Sequence, residues 1–190
     1  MAKWVFEPGH TSAEFRVRHM MVTYVRGHFK DIHGTMEFEP DNPTAGSLEA
    51  RIEAAKLWTG EPNRDAHLKS ADFLDVQKHG QIVFRGTKAR RMGCNQFRVG
   101  GDLTIRGVSR EVWLDVEYLG QWDTPFWVGE KDFGPVTRAG FVATTVINRH
   151  DFGVSWSAAL DHGGIVVGDD VFITIDAEAI REKEGLSLPS

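Results

Sequence analysis

Alternation with a period of two runs through most of the chain and dictates its fold class. In "SLEARIEAAK", Leu48, Ala50, Ile52 and Ala54 alternate with Glu49, Arg51 and Glu53. In "REVWLDVEY", Val112, Leu114, Val116 and Tyr118 alternate with Glu111, Asp115 and Glu117. Phe97, Val99, Leu103 and Ile105 share one parity, and so do Ala13, Phe15, Val17 and His19. Successive side chains of a strand point to opposite faces, so this pattern predicts strands with one dry and one wet face, which antiparallel sheets allow. The spacing predicts about eight strands, at roughly 12–19, 25–39, 46–56, 81–92, 96–106, 109–120, 136–149 and 169–180, with a short piece near 3–6. "RMGCN" and "IRGVS" are short, Gly-bearing connections suited to hairpins. No strand alternates with a long amphipathic helix, which argues against a parallel α/β sheet.

Eight antiparallel strands close into a barrel, and closure removes their edges. The interior of such a barrel is either filled by side chains or holds one small ligand. Small residues among the inward candidates (Gly27, Gly86, Gly100, Gly101, Ala50 and Ala54) favour a cavity that Phe15, Phe29, Phe84 and Phe97 do not refill. The length of 190 residues fits one domain, expected over 1–180 with a polar tail at 181–190.

A net charge of -5 argues against nucleic acid as a partner, because phosphate contact needs a basic surface. Cys94 is the single cysteine, so neither a disulfide framework nor a thiolate metal site is expected. No apolar run approaches the roughly 20 residues that span a bilayer, and the first residues have no signal-like apolar stretch; a cytoplasmic protein that is not integral to a membrane is the expectation. "GVSWS" lacks the closing Gly of a nucleophile elbow. The histidines at 10, 19, 28, 33, 67, 79, 150 and 162 show no ligand spacing, and no metal is expected. "RVGGDLTIRG" sits between strands, where bulges explain its glycines better than a phosphate cradle does.

Three connections break the hairpin rhythm: roughly 57–80, Gly120 to Pro135, and Ser155 to Gly168. In the first, "PNRDAHLKSADF" predicts a short helix with Asn63 as N-cap and an ion pair between Asp65 and Lys69. Its charges admit three readings. They decorate a solvated helix, or Arg64, His67 or Lys69 anchors a ligand head group, or the helix is latched. "NRHDFG" supplies partners for a latch: Arg149 and Asp151, two apart on one strand face, would pair with Asp65 and Arg64 respectively. In the second connection, Trp122, Phe126, Trp127 and Phe133 form a core cover, a lid or a dimer surface.

Five motifs in order resemble the YceI-like family of polyisoprenoid-binding, lipocalin-like proteins: "GHTSAEFRVRHMMVTYVRGHF", "TGEPNRDAHLKSADFLDV", "GDLTIRGVSREVWLDV", "INRHDFG" and "VGDDVFITIDAEAI". "RDAHLKSADF" is the most diagnostic. The resemblance implies an eight-stranded antiparallel barrel with a hydrophobic tunnel, a long-chain amphiphile as ligand (isoprenoid, quinone-like or fatty-acyl), no cofactor beyond that lipid, and a homodimer. Its motif positions fall on Phe15, His19, Gly27, Phe29, Arg64, Asp65, His67, Leu68, Phe73, Phe84, Arg149, Asp151 and Phe152. Many relatives carry a signal peptide that this sequence does not show.

The expected function is therefore that of a lipid-chain carrier or storage protein without catalytic residues. Phe15, Val17, His19, Phe29, Phe84, Phe97, Leu114, Phe141 and Phe152 are expected around the chain, with Arg64, Asp65, His67, Lys69, Arg149 and Asp151 as head-group contacts or latch. The alternative is an enzyme acting on a small amphiphile through His67, Asp65 and Arg149.

Overall fold

A computed structural model describes residues 1–40, 42, 46–160 and 164–182, with the side chain of Val128 left out. His162 and residues 183–190 of the polar tail lie outside the described residues. The strands are β1 (Ala2–Phe6), β2 (Ser12–His19), β3 (Thr23–Lys30), β4 (His33–Phe38), β5 (Leu48–Glu53), β6 (Gln81–Arg91), β7 (Gln96–Ile105), β8 (Val108–Val128), β9 (Lys131–Asn148) and β10 (Val167–Arg181). Among the described residues one α-helix, α1 (Pro62–Lys69), interrupts them. No described helix is long and apolar enough to cross a membrane.

All pairings are antiparallel, in the order β1-β4-β5-β6-β7-β8-β9-β10-β2-β3, and a further β1–β10 pairing closes a ring of eight strands. β2 and β1 pair in turn with the two halves of β10, from Val167–His19 to Arg181–Trp4. β3 and β4 pair with β2 and β1 in the same way. The ten segments are thus eight staves, two of them broken, and the architecture is the expected antiparallel barrel. The single strand expected over 25–39 is divided at Asp31, whose φ of 59° turns the chain out of extended geometry. The strand expected over 46–56 ends at Glu53, and Ala54–Lys56 wind into a 3-10 turn.

The largest departure lies at 120–135. This stretch is a hairpin, not a loop: β8 and β9 stay paired out to Val128–Lys131. The partner strand β10 stops pairing with β9 at Ile180–Arg138, so the outer part is a two-stranded ribbon. Bulges between Tyr118 and Gly120 and between Pro125 and Trp127 shift the register, and Pro125 faces Pro135. Each bulge flips the parity of the following side chains, which hides a strand from a period-two reading. Phe126 turns inward onto Val136 and Ile180, whereas Trp122 (77% exposed) and Trp127 (58%) point to solvent.

The crossover between β5 and β6 closes one end of the barrel. Leu68, Leu74 and Val76 pack against Phe29, Leu57 and Ile82. Arg106, in the β7–β8 turn, donates to the carbonyls of Ala71 and Gly153 (2.8 and 2.7 Å) and so ties three segments of this end together. On the wall, β3 meets the crossover through paired hydrogen bonds between His28 and Trp58 (2.9 and 3.1 Å). This close approach requires Gly27: a Cβ there would lie 2.5 Å from Phe15 and 2.7 Å from Thr59. Gly27→Ala is expected to destabilise the fold by about 1–3 kcal/mol, the usual cost of overpacking, as read by denaturant midpoint.

Candidate functional site: an apolar barrel cavity

The inward parity of the strands leaves the barrel partly empty. A cavity of about 470 Å³ runs inside it, within the range of pockets that bury most of a small ligand. All nine residues expected around a ligand, Phe15, Val17, His19, Phe29, Phe84, Phe97, Leu114, Phe141 and Phe152, line it. Ala50 and Gly86 do supply some of the space. Gly27 and Gly100 do not: the former faces Phe15 and Thr59, and the latter lies under the Trp113 ring. Sequence reasoning missed the contribution of β10. Val171, Ile173 and Ile175 line the cavity, and their alternation in "VFITI" was the available signal. It also missed Trp156, whose neighbours "SWSAAL" carry no strand period.

Polar groups gather at the two ends. Arg18, His19, Arg64, His67 and Arg149 reach the cavity at the crossover end, and Glu37, Ser47 and Lys88 at the other. Asp65, Lys69 and Asp151, expected beside them, do not line it.

The N-cap of α1 is Glu61, not Asn63. Pro62 occupies the first helical position, and the Glu61 carboxylate accepts from the backbone N–H groups of Asn63 (3.1 Å) and Arg64 (2.6 Å). A Glu with a Pro behind it does the work expected of the Asn, with its charge at the positive end of the helix.

The charged residues of α1 form a local knot rather than the expected latch. Buried Asp65 accepts from the Thr59 backbone N–H at 2.9 Å and from the Thr59 hydroxyl. Arg64 donates Nε to the same hydroxyl oxygen (2.8 Å) and Nη2 to the Thr59 carbonyl (3.0 Å). Thr59 is six residues from Asp65, so this knot closes a far smaller loop than a tie to "NRHDFG" would. The same bonds replace the ion pair expected between Asp65 and Lys69. Asp65→Ala, which leaves the Thr59 N–H without its acceptor, is expected to cost about 1–3 kcal/mol in chemical unfolding.

Arg149 and Asp151 do not pair with α1 either. They lie in a 3-10 turn, Arg149–Phe152, where residues two apart no longer share a face. Asp151 faces solvent, and Arg149, 5% exposed, turns inward. Its Nη1 donates to the carbonyls of Val154 and Trp156 (both 2.8 Å), its Nε to Gly168 (2.9 Å) and its Nη2 to Val167 (3.2 Å). One guanidinium thus clamps both ends of the β9–β10 connection. Burial pushes its pKa below the ordinary value, opposed by the Asp169 carboxylate 3.5 Å away; the group stays a cation at any ordinary pH.

His67 lies edge-on to Phe73 and Trp156, with ring centroids 5.0 and 4.9 Å away, and its Nε2 is 2.8 Å from Asp72 Oδ2. His67, Asp65 and Arg149 therefore each have a different partner and do not join in one hydrogen-bonded group. Elsewhere, the ligand atoms of Glu7, His10 and Glu178 lie within 4.8 Å of one another, but the Arg138 guanidinium already donates to Glu178.

The description of the YceI-like domain matches residues 4–179. The chain belongs to the YceI-like family. It is 33% identical over 177 residues to Protein YceI of Escherichia coli O157:H7, covering 93% of this chain and 85% of that one. The crystal structure of the Campylobacter jejuni YCEI protein is 28% identical, with a TM-score of 0.68 over 88% of this chain and 90% of the other. A polyisoprenoid binding domain from Saccharophagus degradans, implicated in plant cell wall breakdown, shares the fold at 11% identity, with a TM-score of 0.66 over 96% of this chain and all (100%) of the other. The YceI-like motifs fall where the geometry needs them: "RDAHLKSADF" forms α1 and the crossover, and "INRHDFG" forms the end of β9 and the Arg149 turn.

Proposed function

We propose that this protein binds a long-chain amphiphile, a polyisoprenoid, quinone-like or fatty-acyl lipid, inside the barrel as a carrier or storage protein. The observation that carries this reading is the cavity of about 470 Å³, lined mostly by aromatic and aliphatic side chains, with charged groups such as Arg64 and His67 at the crossover end and Glu37 and Lys88 at the other. Each CH₂ moved from water into such a site contributes about 0.8 kcal/mol, so the chain supplies most of the affinity and the head needs few contacts. Arg64 and His67 are the cavity-facing groups next to which a polar head would rest. The polyisoprenoid-binding description of the Saccharophagus degradans relative supports the same ligand class. Mass spectrometry of an organic extract of the purified protein tests the reading. A long-chain lipid in near-equal amount to protein is expected; a protein that is empty and takes up no isoprenoid or acyl amphiphile contradicts it.

The proposal is binding without turnover. His67→Asn keeps the ring contacts with Phe73 and Trp156 only in part and removes the imidazole. It is expected to change chain affinity by no more than about tenfold, the weight of one lost polar or aromatic contact. Recovery of a chemically altered ligand from the wild-type protein, but not from this variant, would favour an enzyme instead. The homodimer belongs to the same proposal, with the outward Trp122 and Trp127 of the β8–β9 ribbon as its contact. Trp122→Ser with Trp127→Ser is expected to halve the mass measured by light scattering.

A further inference from the structure

The turn between β2 and β3 is made of residues that hairpin turns disfavour. Met20 and Met21 hold φ values of 48° and 61°, in the left-handed region where a Cβ is strained and where Asn, Asp and Gly are preferred. Packing does not account for the choice, since Met20, Met21 and Val22 are 44%, 50% and 84% exposed. The tip is nonetheless firmly framed. Val22 N–H donates to the His19 carbonyl (3.1 Å), Met20 N–H to the Val166 carbonyl (2.9 Å), and the Arg18 guanidinium to the Met21 carbonyl (2.9 and 3.3 Å). An apolar triplet is thus held out into solvent on a rigid support.

That support is the rim of the cavity. Arg18 and His19 before the tip, and Val166 and Val167 across from it, all line the interior. Just behind the tip, the guanidinium groups of Arg16 and Arg18 stand over the Tyr24 ring, 5.2 and 5.6 Å from its centre. Apolar side chains in front and cations two and four residues behind are the layout of a segment that enters the acyl boundary while its charges stay with lipid phosphates.

We propose that the β2–β3 tip docks the cavity mouth onto a lipid bilayer, with Met20, Met21 and Val22 entering the acyl boundary and Arg16 and Arg18 at the head groups. A chain then passes between bilayer and barrel beside His19 without crossing bulk water. The proposal rests on the lipid-chain reading above. A second copy of the protein is a poorer occupant, because three side chains offer far less than the roughly 1,200 Å² that a stable protein interface buries.

The test is sedimentation of the full chain with phosphatidylcholine vesicles, with and without phosphatidylglycerol. The triple variant Met20→Asn, Met21→Gly, Val22→Ser gives the turn its preferred residues, so its Tm should equal or exceed that of the wild type. The wild type is expected to bind both vesicles, and the triple variant to bind at least about tenfold more weakly, from the loss of three apolar side chains. Its uptake of a long-chain acyl probe delivered from cyclodextrin should be unchanged, while uptake from vesicles slows. Equal vesicle binding by the two proteins, no binding by the wild type, or a fall in solution mass on substitution overturns the docking proposal. If neither protein takes up the cyclodextrin-delivered probe, the lipid-chain reading fails, and the vesicle result still decides the docking itself.

Discussion

Arg149→Met is expected to lower the unfolding free energy by about 2–4 kcal/mol, measured by denaturant titration. Methionine keeps much of the apolar stem but donates nothing, so the carbonyls of Val154, Trp156, Val167 and Gly168 lose their common donor. A buried acceptor left unpaired costs about 1–3 kcal/mol; partial rehydration of the connection holds the total below four such costs. Arg149→Lys should recover little of the loss. Its single ammonium keeps the charge but lacks the planar fork that reaches four oxygens at once. A Lys variant as stable as the wild type would show that charge, not the fork, holds the connection. Because the clamped stretch carries Val154 and Trp156, both on the cavity, the Met variant should also release bound chain faster.

Ala143→Phe should sharply weaken uptake of long chains with little effect on the fold. Ala143 lies on β9 among the apolar side chains that line the cavity. A phenyl ring directed into the space occupies volume that the ligand needs and adds apolar contact that the empty barrel lacks. Affinity for a long-chain amphiphile is expected to fall about a hundredfold, as follows from displacing three or four CH₂ groups at about 0.8 kcal/mol each. Stability should fall by no more than about 1–3 kcal/mol, the usual cost of an inserted group, because the ring enters empty volume. Unchanged affinity in a well-folded variant would place the ligand outside the barrel.

The barrel was legible because a period-two pattern reports one thing directly: which side chains share a face. Wherever the register runs unbroken, as in β2, β7 and the first part of β8, the parity of the apolar residues places them on the inner side of the barrel, most of them on the cavity. The nine expected wall residues follow from that parity and the family motifs. The β8–β9 ribbon was not legible because its bulges and facing prolines interrupt the period while leaving the pairing intact. The polar residues failed for a different reason. Arg64 and Asp65 found Thr59, and Arg149 found main-chain carbonyls; a charge pattern reveals no backbone partner, and Thr59 carries no signal of its own. Asp151 failed because two residues of apparent strand alternation wind into a 3-10 turn, which a Gly at position 153 with φ of 71° then terminates.

The claim that the barrel holds the chain of an amphiphile is tested most directly by the dependence of affinity on chain length. Calorimetric titration of a homologous acyl series with one head group should show Kd falling about fourfold for each added CH₂ until the cavity is full, the equivalent of about 0.8 kcal/mol per group. It should then level off, and the Ala143→Phe variant should level off at a shorter chain. An affinity independent of chain length across the series would contradict the account.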